Sequence, residues 1–514
     1  MAARSPAQPT AILRGHRAQV HSAVFMRLDQ TATSGATMTA DTRLATGDSD
    51  GYVVLWDLAI VRPRAVWRAH TNSILGMAAW DDDRQLVTHG RDHRLVVWQV
   101  GVADETRLST VLPLDDESVA STFAKAPGET TSRPQPWMVH VLEVNTMNFC
   151  AFAWTGLVGS VAAVTAATNA TGSSSTEVAL ASGASAPRQR LLAVPNTLTL
   201  EAADVYHLPS QRRINTIRLG TKEGMIMAMA LFYAPAPAAP ETLVLIAAFE
   251  NGVVALAMLS QGADGPATIL YRGQPHSQPI LSLDVAPDRS YFLTSAADAV
   301  IAKHPIRIPA AREVNQQTDT PTLTPTQTLS APSPKPPPGK PVSLLSAALA
   351  KEAAASPSSS SPPKPKPTPP PAPVEIETQP LTTINTKHAG QQGLRIRDDG
   401  RLFATAGWDA RVRVYSAQTM KEVAVLKWHQ TGCFAVAFAP VARADTRRDG
   451  ETDSESSAVV ATKSAASSTD TSLVPRANNR REVSVKERRL RHAVTAHWLA
   501  AGSKDGKVSL WDIF

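Results

Sequence analysis

Residues 43–58 read RLATGDSDGYVVLWDL, and this stretch decides how the rest of the chain is interpreted. An apolar run leads into a short polar turn, and a second run with alternating apolar residues ends on tryptophan. Alternation with a period of two is typical of β-strands, and the polar turn between two such runs predicts a hairpin. The arrangement recurs at 85–98 (QLVTHGRDHRLVVW), 402–415 (LFATAGWDARVRVY) and 499–512 (LAAGSKDGKVSLWD), so a repeated hairpin unit is predicted.

A histidine and a further apolar strand precede each hairpin, as at His16, His70, His388 and His429. Units of about 40–45 residues with four strands and with Gly-His and Trp-Asp signatures resemble the WD40 repeat. Three weaker units, at 147–208, 225–259 and 279–304, bring the predicted total to seven. The resemblance predicts an all-β fold, a seven-bladed WD40 β-propeller that occupies residues 1–514 as a single domain.

The two ends of the chain complement each other. Residues 499–512 supply only an inner hairpin, whereas residues 9–14 (PTAILR) precede the first Gly-His pair. WD-repeat propellers fasten their ring with such a segment, so residues 9–14 are expected to form the outer strand of the last blade. A ring closed in this way leaves no bare strand edge inside the sheet system.

Four insertions interrupt the repeats, at 100–135, 155–189, 305–379 and 441–492. Residues 305–379 hold 19 of the 39 prolines and no aromatic residue, which predicts disorder because little apolar surface is available for burial. Two insertions fall between first and second strands and two between third and fourth strands. These links emerge on the same face of a propeller, so the opposite face is predicted to stay uncluttered.

Composition excludes several classes of protein. The formal net charge of +6 is small for 514 residues and gives no reason to expect direct nucleic-acid binding. Leu243–Leu259 is interrupted by a polar turn and is interpreted as two buried strands, so no membrane span is predicted. The only cysteines, Cys150 and Cys433, lie in apolar stretches and predict buried thiols. No metal-ligand spacing or phosphate-binding loop is present, so no cofactor is expected.

By the WD40 resemblance, a histidine, a Ser or Thr, an Asp and a Trp form a hydrogen-bonded tetrad in a blade. Such groups satisfy one another when they are buried as a network. A His–Asp–Thr set also suggests a hydrolase, but its repetition around the ring favours a structural role over catalysis. The predicted tetrads are His16, Thr46, Asp50 and Trp56; His70, Thr88, Asp92 and Trp98; and His388, Thr405, Asp409 and Tyr415.

Three short motifs have alternative interpretations. Residues 47–51 match the G-x-S-x-G nucleophile elbow, but a strand follows where that elbow needs a helix. Residues 408–411 (WDAR) match a sequence by which some propellers dock onto ubiquitin-ligase adaptors, although here it precedes the third strand instead of following it. A substrate receptor of a ubiquitin ligase is therefore the alternative function. The tract 476–491 holds seven Arg or Lys residues and fits a nuclear-import signal, a nucleic-acid patch or a solvated loop.

A more specific resemblance lies in residues 386–415 (TKHAGQQGLRIRDDGRLFATAGWDARVRVY) and 421–438 (KEVAVLKWHQTGCFAVAF). With AVPN at 193–196, DVYHLPSQR at 204–212 and HSQPILSL at 276–283, these residues resemble the ASTRA-associated protein 1 family. The resemblance implies a non-enzymatic WD-repeat scaffold of the nuclear ASTRA complex, which is linked to chromatin remodelling. It implies three kinds of partner: a very large kinase-related protein, its co-chaperone module and AAA+ helicases.

The uncluttered face is the predicted working surface. It carries the loop before Gln391 and Gln392 and the turn that bears Trp408. A tryptophan in an exposed turn is costly to solvate and is a favoured interface anchor, although it also serves to cover a neighbouring blade. The sequence therefore predicts that Trp408, Gln391 and Gln392 contact a protein partner.

Overall fold

The computed structural model describes residues 7–29, 40–80, 84–115, 133–144, 149–156, 188–235, 242–259, 263–309, 376–441 and 484–513. Its strands form seven antiparallel sheets of four strands each, arranged as a seven-bladed β-propeller. The predicted fold class is confirmed. No helix in the described part of the chain is long and apolar enough to cross a membrane.

The strands run in chain order through the blades. The first strand of the chain and those of blades 1 to 3 are β1 (Ala11–Arg14); β2 (Val20–Asp29), β3 (Ala40–Asp48), β4 (Tyr52–Asp57) and β5 (Arg62–Arg68); β6 (Ile74–Trp80), β7 (Gln85–Gly90), β8 (Arg94–Gln99) and β9 (Trp137–Glu143); β10 (Ala153–Gly156), β11 (Arg190–Pro195), β12 (Ala202–Leu208) and β13 (Arg212–Arg218). Those of blades 4 to 7 are β14 (Ile226–Tyr233), β15 (Leu243–Phe249), β16 (Val254–Leu259) and β17 (Ala267–Gly273); β18 (Ile280–Val285), β19 (Tyr291–Ala296), β20 (Val300–Pro305) and β21 (Thr382–Asn385); β22 (Gln391–Ile396), β23 (Leu402–Gly407), β24 (Val412–Ser416) and β25 (Glu422–Leu426); β26 (Cys433–Phe438), β27 (Trp498–Ser503) and β28 (Lys507–Asp512).

The ring is closed by strands from both ends of the chain. In blade 7 the order of strands is β1, β28, β27, β26, so the outer strand comes from the first residues. The antiparallel register pairs Ala11 with Leu510 and Arg14 with Lys507. Because β1 covers the edge of β28, the last hairpin exposes no unpaired row of backbone groups on that side.

The middle strands are buried on both faces because each blade is packed between two others. All seven residues of β15 (LVLIAAF) are buried. Leu245 and its alternate neighbours pack with blade 3 in one apolar cluster, whereas Ile246 and its neighbours pack with blade 5 in another. A strand buried on both faces needs apolar residues at every position. This is why Leu243–Leu259 has the hydropathy of a membrane segment yet forms β15 and β16.

The insertion predicted at 100–135 begins with ordered structure that packs on blade 1. A one-turn helix, α1 (Val102–Glu105), carries Glu105 to the buried guanidinium of Arg43, at 2.8 Å between Nε and Oε1. The backbone NH of Val66 then donates to the carbonyl of Ser109 at 2.7 Å. Residues 101–115 therefore strap blade 2 to the outer strand of blade 1. The remainder of this insertion up to residue 132 lies outside the described residues.

The Pro-rich insertion predicted at 305–379 is ordered at its last residues. Glu377 forms a parallel bridge with Tyr271 of β17, and Arg272 donates its backbone NH to the Glu377 carbonyl at 2.8 Å. The Glu377 carboxylate lies 2.9 Å from Arg307. Residue 379, the predicted end of the disordered insertion, is therefore too late, because Glu377 is ordered by hydrogen bonds with the outer strand of blade 4. Residues 310–375, predicted to be disordered, lie outside the described residues.

The end of the insertion predicted at 441–492 folds as a helix, α2 (Val485–Thr495). The Ser484 side chain caps it by accepting from the backbone NH of Glu487, and Ala493 is buried where blades 1 and 7 meet. Sequence patterning missed this helix because a single buried alanine leaves little apolar periodicity. Residues 485–491 of the basic tract 476–491 lie on α2, and residues 476–483 lie outside the described part. The insertion predicted at 155–189 also falls almost entirely outside it.

Candidate interaction surface

The tetrad of blade 1 forms with one change from the sequence prediction. His16 Nδ1 lies 2.8 Å from Asp48 Oδ2, its Nε2 lies 2.7 Å from Thr46 Oγ, and Trp56 Nε1 donates to the same hydroxyl at 2.8 Å. The predicted acidic member, Asp50, is wrong. Asp48 ends β3 with its side chain buried beside the imidazole, whereas Asp50 lies at the exposed tip of the turn and donates its backbone NH to Asp48.

The tetrad of blade 2 has the predicted members. His70 Nδ1 lies 2.9 Å from Asp92 Oδ1 and its Nε2 2.7 Å from Thr88 Oγ, to which Trp98 Nε1 donates at 2.8 Å. Burial by itself raises the pKa of Asp92, but the hydrogen bonds from His70 and the backbone bring that pKa down to about 2. The carboxylate therefore stays charged and holds the imidazole in place.

Blade 5 contains a tetrad that sequence analysis missed. Asp298 lies 3.2 Å from His276 Nδ1, His276 Nε2 lies 2.8 Å from Thr294 Oγ, and that hydroxyl lies 2.9 Å from His304 Nε2. The chain continues from His304 Nδ1 to the Tyr271 hydroxyl at 2.8 Å. His304 occupies the position of the usual tryptophan, so a search for Trp-Asp endings could not find this set. Burial lowers the pKa of His304 to about 3 and keeps it neutral.

Blade 6 does not form its predicted tetrad. His388 has an exposed side chain 3.7 Å from Asp409, and the nearly buried guanidinium of Arg413 takes that carboxylate instead, at 2.6 Å. Within the described chain, the hydroxyls of Thr405 and Tyr415 have no hydrogen bond of normal geometry and make only a weak contact with each other. The prediction for this blade is wrong because a buried arginine in the third strand needs the aspartate more strongly than a solvated histidine does.

The tetrads have the composition of a hydrolase triad but not its accessibility. His16, Thr46 and Asp48 are at most 3% exposed, and Thr46 is already engaged by Trp56. A nucleophile must reach a substrate carbonyl, and this hydroxyl reaches only protein atoms. Among the described residues, no group of three or more His, Cys, Asp and Glu side chains has the geometry to hold a metal ion. The arrangement supports binding by the surface of the propeller.

Trp408 lies in the turn between β23 and β24, on what we call the open face: the face where second-to-third and fourth-to-first strand links emerge. The side chain is 48% exposed, and its indole nitrogen donates to Gln392 Oε1 at 2.9 Å. The ring rests on Gly390, where a Cβ atom would lie 2.2 Å from Trp408 Cε3. Gly390 also has a φ of +75°, so a side chain is excluded on both grounds. The Trp408 ring therefore packs directly on Gly390, a contact that the sequence pattern did not predict.

Gln391 does not face a partner. Its side chain is fully buried, with Nε2 donating to the carbonyl of His388 at 2.8 Å. The backbone carbonyl of Gln391 accepts a hydrogen bond from Ser295 of blade 5. The expectation that Gln391 contacts a partner is corrected: it shapes the loop before β22, because the bulge between Gln391 and Gly393 turns its side chain inward. Only Trp408 and Gln392 of the predicted set are accessible.

The four insertions begin and end at strand ends on the opposite face, which we call the insertion face. Each insertion interrupts a link between first and second strands, as between β10 and β11, or between third and fourth strands, as between β8 and β9. Residues 408–411 occupy the turn between β23 and β24, before the third strand of the blade. The fold and the accessible indole on the open face define a WD-repeat β-propeller with a candidate protein-binding surface.

Comparison with known proteins identifies the family. The family model described as ASTRA-associated protein 1 matches residues 9–511. The chain is 44% identical to the ASTRA-associated protein 1 of Verticillium alfalfae over 98% of this chain and 93% of that protein. It is 44% identical to that of Pyricularia oryzae over 99% and 98%, and 26% identical to that of Schizosaccharomyces pombe over 84% and 93%. The chain belongs to the ASTRA-associated protein 1 family.

Proposed function

We propose that this chain is a non-enzymatic scaffold subunit of the ASTRA complex and that its open face binds another subunit. Family membership over residues 9–511 supports the assembly, since the relatives carry the name ASTRA-associated protein 1. The buried tetrads support a scaffold, since their reactive groups are satisfied by one another inside the blades.

The observation that carries the proposal is the rigid exposure of Trp408. Its indole is half exposed yet held by Gln392 and seated on Gly390, so little side-chain entropy is lost when a partner covers it. Tryptophans in such positions are frequent energetic centres of protein interfaces. Among the described residues, the turn that bears Trp408 is short and carries no insertion.

The resemblance noted in the sequence extends the proposal to particular partners. These are a very large kinase-related protein, its co-chaperone module and paired AAA+ helicases, in an assembly linked to chromatin remodelling. We propose a nuclear location for the same reason, with the basic residues of 476–491 as the import signal. Imaging of a fluorescent fusion tests the location. The fusion should be nuclear, and Arg488→Gln with Arg489→Gln should reduce its nuclear fraction if these residues belong to the import signal.

Affinity purification of the tagged full chain followed by mass spectrometry tests the binding surface. We expect Trp408→Ala to reduce recovery of the assembly strongly, because truncating an interface centre costs about 2 kcal/mol or more, roughly thirtyfold in affinity. Gln392→Ala should weaken recovery less. The matched control is Trp137→Ala, which removes a 78% exposed tryptophan from the outer strand of blade 2.

Each variant is first checked for an unchanged denaturation midpoint. A folded Trp408→Ala variant that recovers the whole assembly at the wild-type level would show that the open face around Trp408 is not the contact. Equal losses from Trp408→Ala and Trp137→Ala would likewise refute the assignment, because the effect would then follow from any exposed tryptophan.

A further inference from the structure

A channel of about 1450 Å³ runs along the axis of the propeller, lined by the innermost strands of all seven blades. Pockets for small molecules usually enclose about 300–1,000 Å³. The channel is therefore larger than a small-molecule site requires. A cavity of this volume has room for a short segment of polypeptide.

Six side chains surround the channel on the open face, and we call them the mouth residues. They come from five blades that are neighbours around the closed ring: 6, 7, 1, 2 and 3. Aromatic side chains lie beside cationic ones along most of this series. In that order they are Trp408, Lys504 and Phe434, His21, Arg91 and Phe149.

The aromatic mouth residues are partly engaged with their neighbours. The guanidinium of Arg91 lies over the Phe149 ring at 4.7 Å, and Phe149 remains 62% exposed. His21 stacks on Phe434 with ring centroids 5.3 Å apart and an interplanar angle of 8°. Burial lowers the pKa of His21, so its ring is uncharged at neutral pH and extends the apolar surface of Phe434.

The channel has an excess of positive charge. Its lining includes four arginine or lysine side chains but a single carboxylate, that of Asp284. The aspartates that follow these two cations in the sequence are already engaged: Asp92 by His70, and Asp505 by Lys507 at 2.6 Å. Within the described residues, Arg91 and Lys504 consequently have no carboxylate partner. Two cations beside exposed aromatic surface are complementary to a ligand that is both acidic and apolar.

We propose that the mouth residues bind an acidic peptide segment of a partner protein, with its carboxylates at Arg91 and Lys504 and an apolar side chain against Phe149, Phe434 and Trp408. This inference rests on the proposed scaffold function and names the chemistry of its partner. Arginine and large aromatics are the residues that most often dominate such interfaces.

Peptide fits these residues better than single-stranded nucleic acid does. Bases bind by stacking on successive exposed aromatic faces. At the mouth, His21 and Phe434 occupy each other's faces, and Arg91 covers one face of Phe149. Tight binding of a phosphate backbone also needs many cationic contacts, whereas the mouth offers two.

Fluorescence polarisation with the purified full chain tests the proposal. The probe is the fluorescein-labelled peptide EEDDFEELDDEE, with KKRRFKKLRRKK, EEDDSEESDDEE and a twelve-nucleotide oligothymidylate as comparisons. We expect the first probe to bind best, and its affinity to fall with added salt. Arg91→Glu combined with Lys504→Glu should weaken it about tenfold or more. Arg212→Glu with Lys421→Glu makes the same charge change at exposed positions on the insertion face and should change affinity less than about twofold.

Equal effects of the two charge reversals, or equal binding of the basic peptide, would overturn the proposal. Preferential binding of the oligothymidylate would overturn it in favour of nucleic acid. If Arg91→Glu with Lys504→Glu does not fold, Arg91→Gln with Lys504→Gln provides the same comparison. Affinity purification separates the two proposals. If the wild-type chain binds the acidic peptide weakly but Trp408→Ala still reduces recovery of the assembly, the acidic ligand is refuted and the open-face binding surface is not.

Discussion

Replacing Thr46 with valine removes the central hydroxyl of the blade 1 tetrad and nearly preserves the shape of the side chain. The hydroxyl lies 2.7 Å from His16 Nε2 and 2.8 Å from Trp56 Nε1, and all three residues are buried. Valine leaves both nitrogens without this partner. A buried polar group that loses its partner costs about 1–3 kcal/mol, so the loss at two nitrogens should make Thr46→Val less stable by about 2–6 kcal/mol.

Blade 6 supplies the matched control, since among the described residues the Thr405 hydroxyl has only a weak contact with the Tyr415 hydroxyl and no hydrogen bond of normal geometry. Thr405→Val should change the free energy of unfolding by less than about 1 kcal/mol or stabilise the protein slightly. Urea denaturation followed by tryptophan fluorescence measures both variants, with slopes compared to establish that the midpoints report stability. Similar midpoints for the two variants would refute the conclusion that blade 1 depends on its tetrad and blade 6 does not.

Three further predictions concern pH, closure and the Pro-rich insertion. Burial lowers the pKa of His89 and His304 to about 3 and of His429 to about 4, so between pH 6.5 and 4 the unfolded chain binds more protons and stability should fall as pH is lowered. Each histidine lowers the free energy of unfolding by about 1.4 kcal/mol for each pH unit in this range. His89→Leu should therefore make the loss of stability with falling pH smaller by about that amount, which denaturation at several pH values measures. Deleting residues 1–14 exposes the edge of the last hairpin and should cost several kcal/mol or cause aggregation, and a monodisperse truncation of wild-type stability in size exclusion and denaturation would contradict this. Replacing residues 311–375 with a short Gly/Ser bridge should leave the thermal midpoint nearly unchanged, and a large drop would show that the segment stabilises the propeller.

The repeating hairpins could be predicted because their pattern follows from packing alone. A middle strand buried between two blades needs apolar residues at every position, as in β15, and a turn must separate it from the next strand. The open-face position of Trp408 followed from counting strands. The roles of Gln391 and Gln392 did not, because a bulge between Gln391 and Gly393 decides which of two adjacent side chains faces inward.

The tetrads show where a positional pattern stops being informative. Asp48 ends β3 and Asp50 lies two residues further on in the turn, and only the direction of each side chain selects Asp48 as the partner of His16. In blade 6 the competitor for Asp409 is Arg413, which lies four residues further along the chain and is not part of the repeat pattern. In such a network, a carboxylate pairs with the cationic group that is more deeply buried. Which group that is can be known only from the three-dimensional structure.

The pairing of β1 with β28 has a consequence for the order in which the protein is made. About 490 residues separate Arg14 from its partner Lys507, so a ribosome adding about 5–20 residues per second needs about 25–100 s to synthesise the interval. During that time the apolar residues Ile12 and Leu13 emerge long before the strand that they pair with. Blades 1 to 6 have all their strands before the ring closes, whereas blade 7 is completed only when β28 pairs with β1. The nascent chain therefore passes through an open, incomplete ring with an exposed edge, the state in which a chaperone would have most to protect.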